Sequence, residues 1–167
     1  MRDVVSIELL LDEATEARVR ADWRRLADAG LSSLAAHTAP SNRPHITLLA
    51  RPTLAAVAFT AVTARLPIPI TLAEPVVFAH GDRGVLAWRV VLSEELRDLH
   101  AVVHAAVPAG DDASHTAPGS WTPHITLARR LRLESLNDAL GLIGTASEGT
   151  GVSLRRWDSA SATVTAL

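Results

Sequence analysis

Two histidines, His45 and His124, stand in identical segments that read Pro-His-Ile-Thr-Leu. Alternate side chains of an extended strand project to the same face, so each imidazole shares a face with the threonine two residues later, Thr47 or Thr126. An imidazole transfers protons near neutral pH, and a hydroxyl can donate a hydrogen bond to a phosphoryl oxygen. The two segments therefore contain the groups needed for acid-base catalysis at a phosphate ester, with one histidine as base and the other as acid.

The two segments belong to a longer internal repeat. Residues 37–48 and 115–127 both begin with His-Thr-Ala-Pro and end with Pro-His-Ile-Thr-Leu, and the second copy is one residue longer. A single His-x-Thr in a strand is more often a packed or surface histidine than a catalytic one. Two copies in matching contexts favour the functional interpretation, and the duplication predicts two similar halves related by a pseudo-twofold axis.

Arginines flank both motifs. Arg43 and Arg51 bracket the first motif, and Arg129, Arg130 and Arg132 follow the second. Each arginine alone is explained equally well as a solvated residue at a strand end. Guanidinium groups match phosphate oxygens in charge and geometry, however, so their clustering near the histidines predicts an anion site.

Trp121 and the remaining histidines admit two interpretations each. Trp121, three residues before the second motif histidine, either stacks on a nucleobase or packs internally. His37 and His115, which open the two repeats, either border the site or are loop residues copied by the duplication. His100 and His104 are four residues apart on a predicted helix, but no acid lies between them as in zinc hydrolases. This pair is interpreted as a solvated helix face, and no metal site is predicted.

The elements that must position these residues follow from periodicity and from capping residues. Helices with apolar residues at helical spacing are predicted over residues 13–29, 53–66, 93–107 and 134–143. Besides the two motif strands, strands are predicted over residues 4–10, 68–79, 84–92, 151–157 and 160–166. The expected fold is α+β, a single two-lobed domain over residues 1–167 in which antiparallel-rich sheets line a central cleft and helices lie outside.

Composition excludes several classes of function. The chain has 167 residues, 48% of them hydrophobic, which suffices for one core. The absence of cysteine excludes disulfides, thiolate nucleophiles and Cys-bound zinc. The 16 basic residues are outnumbered by 18 acidic ones, so no overall positive field exists to bind duplex DNA. Without a long apolar run or a secretory signal, a cytoplasmic protein with no membrane association is expected.

The duplicated His-x-Thr motifs, with an arginine completing His-x-Thr-x-x-Arg at residues 124–129, resemble those of the two-histidine phosphoesterases. Within them the similarity is to the group of 2'-5' RNA ligases and RNA 2',3'-cyclic phosphodiesterases, and it spans most of the chain. The resemblance implies motifs on central strands lining a cleft, no metal or other cofactor, and substrates with a 2',3'-cyclic phosphate or a 2'-5' linkage. It implies His45 and His124 as catalytic residues and Thr47, Thr126 and Arg129 as phosphate-binding residues. The chain lacks the aromatic-rich stretch that this group usually has after its first motif.

Two functions are compatible with these features. The first is metal-independent hydrolysis of a 2',3'-cyclic phosphate on an RNA end or a nucleotide, with reversible 2'-5' ligation as a secondary activity because acid and base exchange roles. The second is a non-catalytic module that binds a nucleotide or an RNA end in the same cleft. Intact His and Thr in both copies favour the enzyme. A monomer is expected, and which histidine is the acid is left open.

Overall fold

The computed structural model describes residues 3–167, so the first two residues of the predicted domain lie outside the described part. The strands are β1 (Val5–Leu11), β2 (His45–Arg51), β3 (Ile68–His80), β4 (Arg83–Val90), β5 (His124–Arg132), β6 (Ser147–Asp158) and β7 (Thr163–Ala166). The helices are α1 (Glu13–Asp28), α2 (Thr60–Thr63), α3 (Glu94–Ala105) and α4 (Leu136–Leu142). Across residues 3–167, no helix combines the length and the hydropathy that crossing a bilayer requires.

The strand order reveals the duplication. All pairs are antiparallel, and the order is β2-β1-β6-β3-β4-β5, with β7 pairing to β6. If β1 is exchanged with β4, β2 with β5 and β3 with β6, the strand order reads the same from the opposite end of the sheet. A pseudo-twofold axis therefore passes between β3 and β6. The predicted α+β fold with pseudo-twofold duplication is confirmed, and hydrogen bonds between β3 and β6 join the strands of the two lobes into one sheet.

Each half of the duplication supports the motif strand of the other half. Helix α1 packs against β5 and β6, whereas α3 packs against β2 and β3. The Trp23 indole in α1 donates a hydrogen bond to the carbonyl of Thr126 (3.0 Å), and Nε2 of His104 in α3 donates to the carbonyl of Leu48 (3.1 Å). Trp23 and His104 both lie eleven positions after the N-cap residues of their helices. The two motif strands are therefore positioned only when both halves are folded together.

The motif strands show the predicted alternation. Ile46, Leu48, Ile125 and Leu127 are fully buried in the core, while the motif histidines and threonines on the opposite face are half-buried. Although β2 and β5 are the outermost strands in hydrogen-bonding order, they contact each other, because the sheet curves around the cleft. The imidazole-bearing faces of both strands consequently line the same cleft.

The predicted helix over residues 53–66 is wrong in its first half, since only Thr60–Thr63 are helical. Arg156 on β6 donates hydrogen bonds to the carbonyls of Leu54 (2.7 Å) and Ala55 (3.4 Å), and a helix would have used these carbonyls internally. The buried side chains of Leu54 and Phe59 anchor the segment to the core in an irregular conformation instead. Helix α1 is as predicted, ending next to Gly30 at a φ of +73°.

Candidate active site

His45 and His124 make the same hydrogen bond. Nδ1 of His45 lies 2.7 Å from the carbonyl oxygen of Arg43, and Nδ1 of His124 lies 2.7 Å from that of Thr122. A carbonyl oxygen can only accept, so Nδ1 must carry the hydrogen and donate it in both cases. The bond fixes the orientation of each ring and leaves Nε2 as the nitrogen that can accept or release a proton. Both imidazoles are thus presented in the same way, as the repeat predicts.

The environment of His124 favours its neutral form. Burial lowers the pKa of His124 below the ordinary value of 6.5, and the hydrogen bond to Thr122 opposes this, while the nearby charges of His115 and His45 reinforce it. The contact between β2 and β5 brings the two motif imidazoles to the same cleft. His115 is close enough to His124 to influence its pKa, and its own side chain is exposed. His37 instead lines a surface pocket that Arg20 and Trp23 of α1 also line.

A buried carboxylate lies beside His45. Oε1 of Glu8 is 3.5 Å from Nε2 of His45, and Glu8 is only 3% exposed. The Ser6 hydroxyl donates to Oε1 at 2.7 Å, and Nε of Arg155 donates to Oε2 at 2.7 Å. Burial raises the pKa of the Glu8 carboxyl, but the charges of His45 and Arg155 and the bond from Ser6 outweigh it, so the pKa lies below 4.5. Glu8 is therefore ionised at neutral pH.

Sequence reasoning did not identify this carboxylate. The signal was present, because Glu8 is the one charged residue of β1, whose seven residues are all buried. A charged side chain at an inward position of a strand needs a partner, and the partner indicates a site. The partner, Arg155, is 147 residues away in the sequence, so local patterns did not connect the two.

Thr47 and Thr126 lie two residues beyond the motif histidines, on the same strand faces. Both are half-buried, and within residues 3–167 neither hydroxyl is hydrogen-bonded to a protein group. Their backbone carbonyls, in contrast, accept hydrogen bonds from the Trp121 and Trp23 indoles, respectively. The backbone is thus held in place while the hydroxyls stay available to a ligand.

Arg129 lies at an irregularity in the sheet. The β4–β5 pairing places Ala128 opposite Leu86 and Leu131 opposite Gly84, so two residues of β5 oppose one of β4. The second of the two, Arg130, has a φ of +56°, and the carbonyl of Arg129 accepts a hydrogen bond from the Ser32 hydroxyl. The Arg129 side chain is exposed and forms no ion pair with another described residue. Its guanidinium is therefore free to bind an anion.

Arg43 has a protein partner that the sequence did not indicate, and Trp121 makes the internal packing contacts that were one of its two interpretations. Arg43 forms a bidentate ion pair with Glu16 of α1, at 2.7 and 3.2 Å. Trp121 stacks on His100, with ring centroids 4.0 Å apart and planes 8° apart, and its Nε1 donates to the carbonyl of Thr47 at 3.0 Å. For both residues a direct contact with substrate stays a prediction, while their contacts within the protein explain how they support β2.

The interpretation of His100 and His104 as a solvated helix face is wrong. His100 is 6% exposed and donates to the carbonyl of Thr116 at 2.8 Å, and burial lowers its pKa. Nδ1 of His104 lies 3.5 Å from Oδ2 of Asp112. Because each helix packs against the motif strand of the other half, this face of α3 lies against β2. There His100 holds the loop before β5 through its hydrogen bond to Thr116. Among the described residues no three His, Asp or Glu side chains gather as metal ligands.

An aromatic ring lies beside His124. The centroid of Phe78 on β3 is 4.9 Å from that of the imidazole, with the ring planes inclined by 54°, and 37% of Phe78 is exposed. Sequence reasoning missed this residue because it belongs to a strand 46 positions before the second motif histidine. A large, partly exposed apolar ring next to a polar site is a platform on which a nucleobase can stack.

Comparison with known proteins agrees with this geometry. The family model described as the 2'-5' RNA ligase superfamily matches residues 11–167. Among solved structures, Usb1 of Kluyveromyces marxianus is similar with a TM-score of 0.52 at 13% identity, covering 99% of this chain and 98% of that one. A protein named only as a phosphoesterase is similar with a TM-score of 0.50 at 14% identity, covering 99% and 94%.

No curated protein is similar enough in sequence to count as a relative. The two structural similarities, at such low identity, establish the shared fold. The family model, in contrast, matches nearly the whole sequence, including both His-x-Thr motifs. The chain therefore belongs to the 2'-5' RNA ligase superfamily, a family of two-histidine phosphoesterases.

Proposed function

We propose that the protein hydrolyses a 2',3'-cyclic phosphate, on an RNA end or a nucleotide, by metal-independent acid-base catalysis with His45 and His124. The observation that carries the proposal is the matching pair of Nδ1–H bonds to backbone carbonyls, which frees Nε2 of both rings. Membership of the superfamily supports a phosphodiester as the substrate. Within residues 3–167 the hydroxyls of Thr47 and Thr126 and the guanidinium of Arg129 have no protein partner, which supports a phosphate as the group that is bound.

In the proposed reaction one imidazole removes a proton from water, and the water oxygen bonds to phosphorus. The bond between phosphorus and one ribose oxygen breaks, and the other imidazole gives its proton to that oxygen, so a nucleoside monophosphate is released. Attack and departure are roughly in line, which requires base and acid on opposite sides of phosphorus. The pseudo-twofold relation between the two half-domains supports such an arrangement. If the 5'-hydroxyl of a second RNA takes the place of water and the 3'-oxygen departs, the same two proton transfers would join RNA ends through a 2'-5' bond.

Hydrogen bonds from Thr47, Thr126 and Arg129 are proposed to stabilise the phosphoryl oxygens as their negative charge grows in the transition state. Phe78 is proposed to support the base of the nucleotide, since it offers an exposed ring beside His124. In this arrangement the ribose phosphate lies between the two motif strands and the base lies toward β3.

The proposal is tested by incubating the purified protein with each of the four nucleoside 2',3'-cyclic phosphates and identifying the products by 31P NMR. We expect conversion to a single monophosphate isomer, because a fixed acid protonates only one of the two ribose oxygens. Saturable binding of the cyclic nucleotides without turnover would instead identify the protein as a non-catalytic module.

Turnover is expected to be insensitive to EDTA. Within the described part of the chain, no group of three or more His, Asp or Glu side chains is arranged to hold a metal ion. The rate of cyclic phosphate hydrolysis should therefore be unchanged after exhaustive dialysis against chelator. Complete loss of the rate, followed by its recovery on addition of zinc or manganese, would contradict the mechanism.

Turnover is also expected to have a bell-shaped pH dependence, because one imidazole must be neutral and the other protonated in each cycle. The pKa of His124 is lowered mainly by burial, so this ring stays neutral to a lower pH than an ordinary histidine. Acting as the base, it would keep the acidic limb of the kcat/KM profile below pH 6.5. A profile that is flat between about pH 5 and pH 9 would exclude paired histidines.

A further inference from the structure

The pseudo-twofold symmetry is broken at one buried position beside the site. In the β1–β2 pairing Glu8 lies opposite Thr47, and in the equivalent β4–β5 pairing Ala87 lies opposite Thr126. Glu8 is 3% exposed and Ala87 is fully buried. Each motif histidine is thus flanked by the same backbone, but a carboxylate accompanies one and a methyl group the other.

The next strand in each half extends the difference. Arg155 on β6 lies opposite Glu8, and Val76 on β3 lies opposite Ala87. The wall beside His45 is therefore an ionic cluster, in which Ser6 and Arg155 occupy both oxygens of the Glu8 carboxylate. The equivalent positions beside His124 are apolar, and Phe78 packs against the His124 ring, while Arg89, opposite His124, is paired with Glu74. A buried carboxylate favours a cation next to it, whereas an apolar wall disfavours one.

The contact between Glu8 and His45 acts through charge. At 3.5 Å, Oε1 of Glu8 and Nε2 of His45 are farther apart than in an ordinary hydrogen bond. The Nε2 proton is consequently not committed to Glu8 and can be given to a substrate oxygen, while the opposite charge at this distance still stabilises the imidazolium. Nδ1 of His45 already donates a hydrogen bond to the carbonyl of Arg43, so Nε2 is the ring nitrogen that can give a proton to the substrate.

We propose that Glu8 is a positioning residue whose negative charge, 3.5 Å from Nε2 of His45, stabilises the imidazolium and so makes His45 the general acid and His124 the general base. The assignment rests on the proposed function. It gives the two equivalent histidines different roles in the reaction. His45 then gives its proton to the departing ribose oxygen, His124 takes one from water, and proton exchange with solvent restores the starting state.

Other charged groups around His45 either weaken the stabilisation of its imidazolium by Glu8 or are paired with one another. Arg155 on β6 neutralises part of the Glu8 charge, and His124 on β5 opposes a second positive charge in the cleft. Arg43 precedes His45, but its guanidinium is paired with Glu16 of α1. Glu8 is therefore the carboxylate of this group that is directed at His45.

The test is the pH dependence of kcat/KM for a nucleoside 2',3'-cyclic phosphate in Glu8→Gln, which removes the charge and keeps the shape. Loss of the negative charge should move the alkaline limb, which reports the acid, to lower pH by about one unit. The acidic limb, which reports His124, should not move. At a pH on the alkaline limb the variant should be about tenfold slower than the wild type, with a smaller difference at the optimum.

Asp112→Asn is the matched control, because Asp112 also lies 3.5 Å from a histidine, His104, and pairs with an arginine, Arg51. This variant should lose stability without moving either limb. Arg155→Gln provides a second test in case Glu8→Gln does not fold. In Arg155→Gln the charge of Glu8 is less neutralised, so the alkaline limb of this variant should move to higher pH, opposite to the shift in Glu8→Gln. Circular dichroism establishes which variants are folded.

The outcomes separate the two proposals. An alkaline limb that stays in place in folded Glu8→Gln, or that moves to lower pH in folded Arg155→Gln, would overturn the role of Glu8. Movement of the acidic limb in Glu8→Gln would reverse the assignment of acid and base and so also overturn it. Absence of turnover in the wild-type protein would instead overturn the proposed function itself.

Discussion

Replacement of His45 or His124 by alanine is expected to lower kcat by about 10²- to 10⁴-fold, the usual contribution of a general acid or base. Because both imidazoles act in the same transition state, the double variant should be only slightly slower than either single variant. Steady-state kinetics on a nucleoside 2',3'-cyclic phosphate measures all three. This result would distinguish a concerted acid-base pair from two histidines that contribute independently.

His80→Ala is the matched control, because His80 is an exposed histidine at the end of β3 that is not part of the site. It should retain wild-type turnover. Both motif histidines also donate from Nδ1 to a backbone carbonyl, so each alanine variant needs a circular dichroism spectrum to show that it is folded. Near-normal turnover in a folded His124→Ala protein would rule out the proposed site.

Replacement of the proposed phosphate-binding residues should have smaller effects. Thr47→Ala, Thr126→Ala and Arg129→Ala each remove a hydrogen bond to a phosphoryl oxygen, which corresponds to about 1–3 kcal/mol of transition-state stabilisation, or roughly 5- to 150-fold in kcat/KM. The arginine variant should be the slowest of the three because its bond is charge-assisted. The pH profile should keep its shape, since none of these side chains transfers a proton.

Serine at position 47 or 126 keeps the hydroxyl and should recover most of the rate lost in the alanine variant. Arg132→Ala is the control for Arg129, because Arg132 lies on the same strand, is exposed and pairs with Glu134 at 3.8 Å. Its removal should change kcat/KM by less than about twofold. If Arg132→Ala were as slow as Arg129→Ala, the arginines would act through a general electrostatic field instead of through a specific bond.

Local sequence was sufficient to predict the parts of the site that are built on a single strand. The two-residue period of a strand places His45 with Thr47 and His124 with Thr126, and the observed burial follows that period. The internal repeat predicted two equivalent halves, because similar sequences form similar strand-helix units. Helix α1 was predicted within one residue, since an N-cap at Asp12 and a glycine at position 30 mark its ends.

Predictions were wrong where a distant residue changes the environment of a segment. Residues 53–59 have apolar spacing that suits a helix, but Arg156 of β6 binds two of their carbonyls. His100 and His104 occupy a helix face that would be solvated on an isolated helix. They are buried because the pseudo-twofold arrangement packs α3 against the strand of the other half. A local pattern contains no information on which of two similar strands a helix will cover.

By itself the sequence determined that two equivalent imidazoles, each with a hydroxyl on the same strand face, are presented by matching units. This follows from backbone periodicity, which acts over a few residues. Only the tertiary structure decided that the two units differ, with Glu8 and Arg155 beside His45 and with Phe78 beside His124. These neighbours come from strands that are adjacent in the sheet but far apart along the chain. The charge state of a buried group depends on all charges and apolar surfaces within a few ångströms, whatever their separation in sequence.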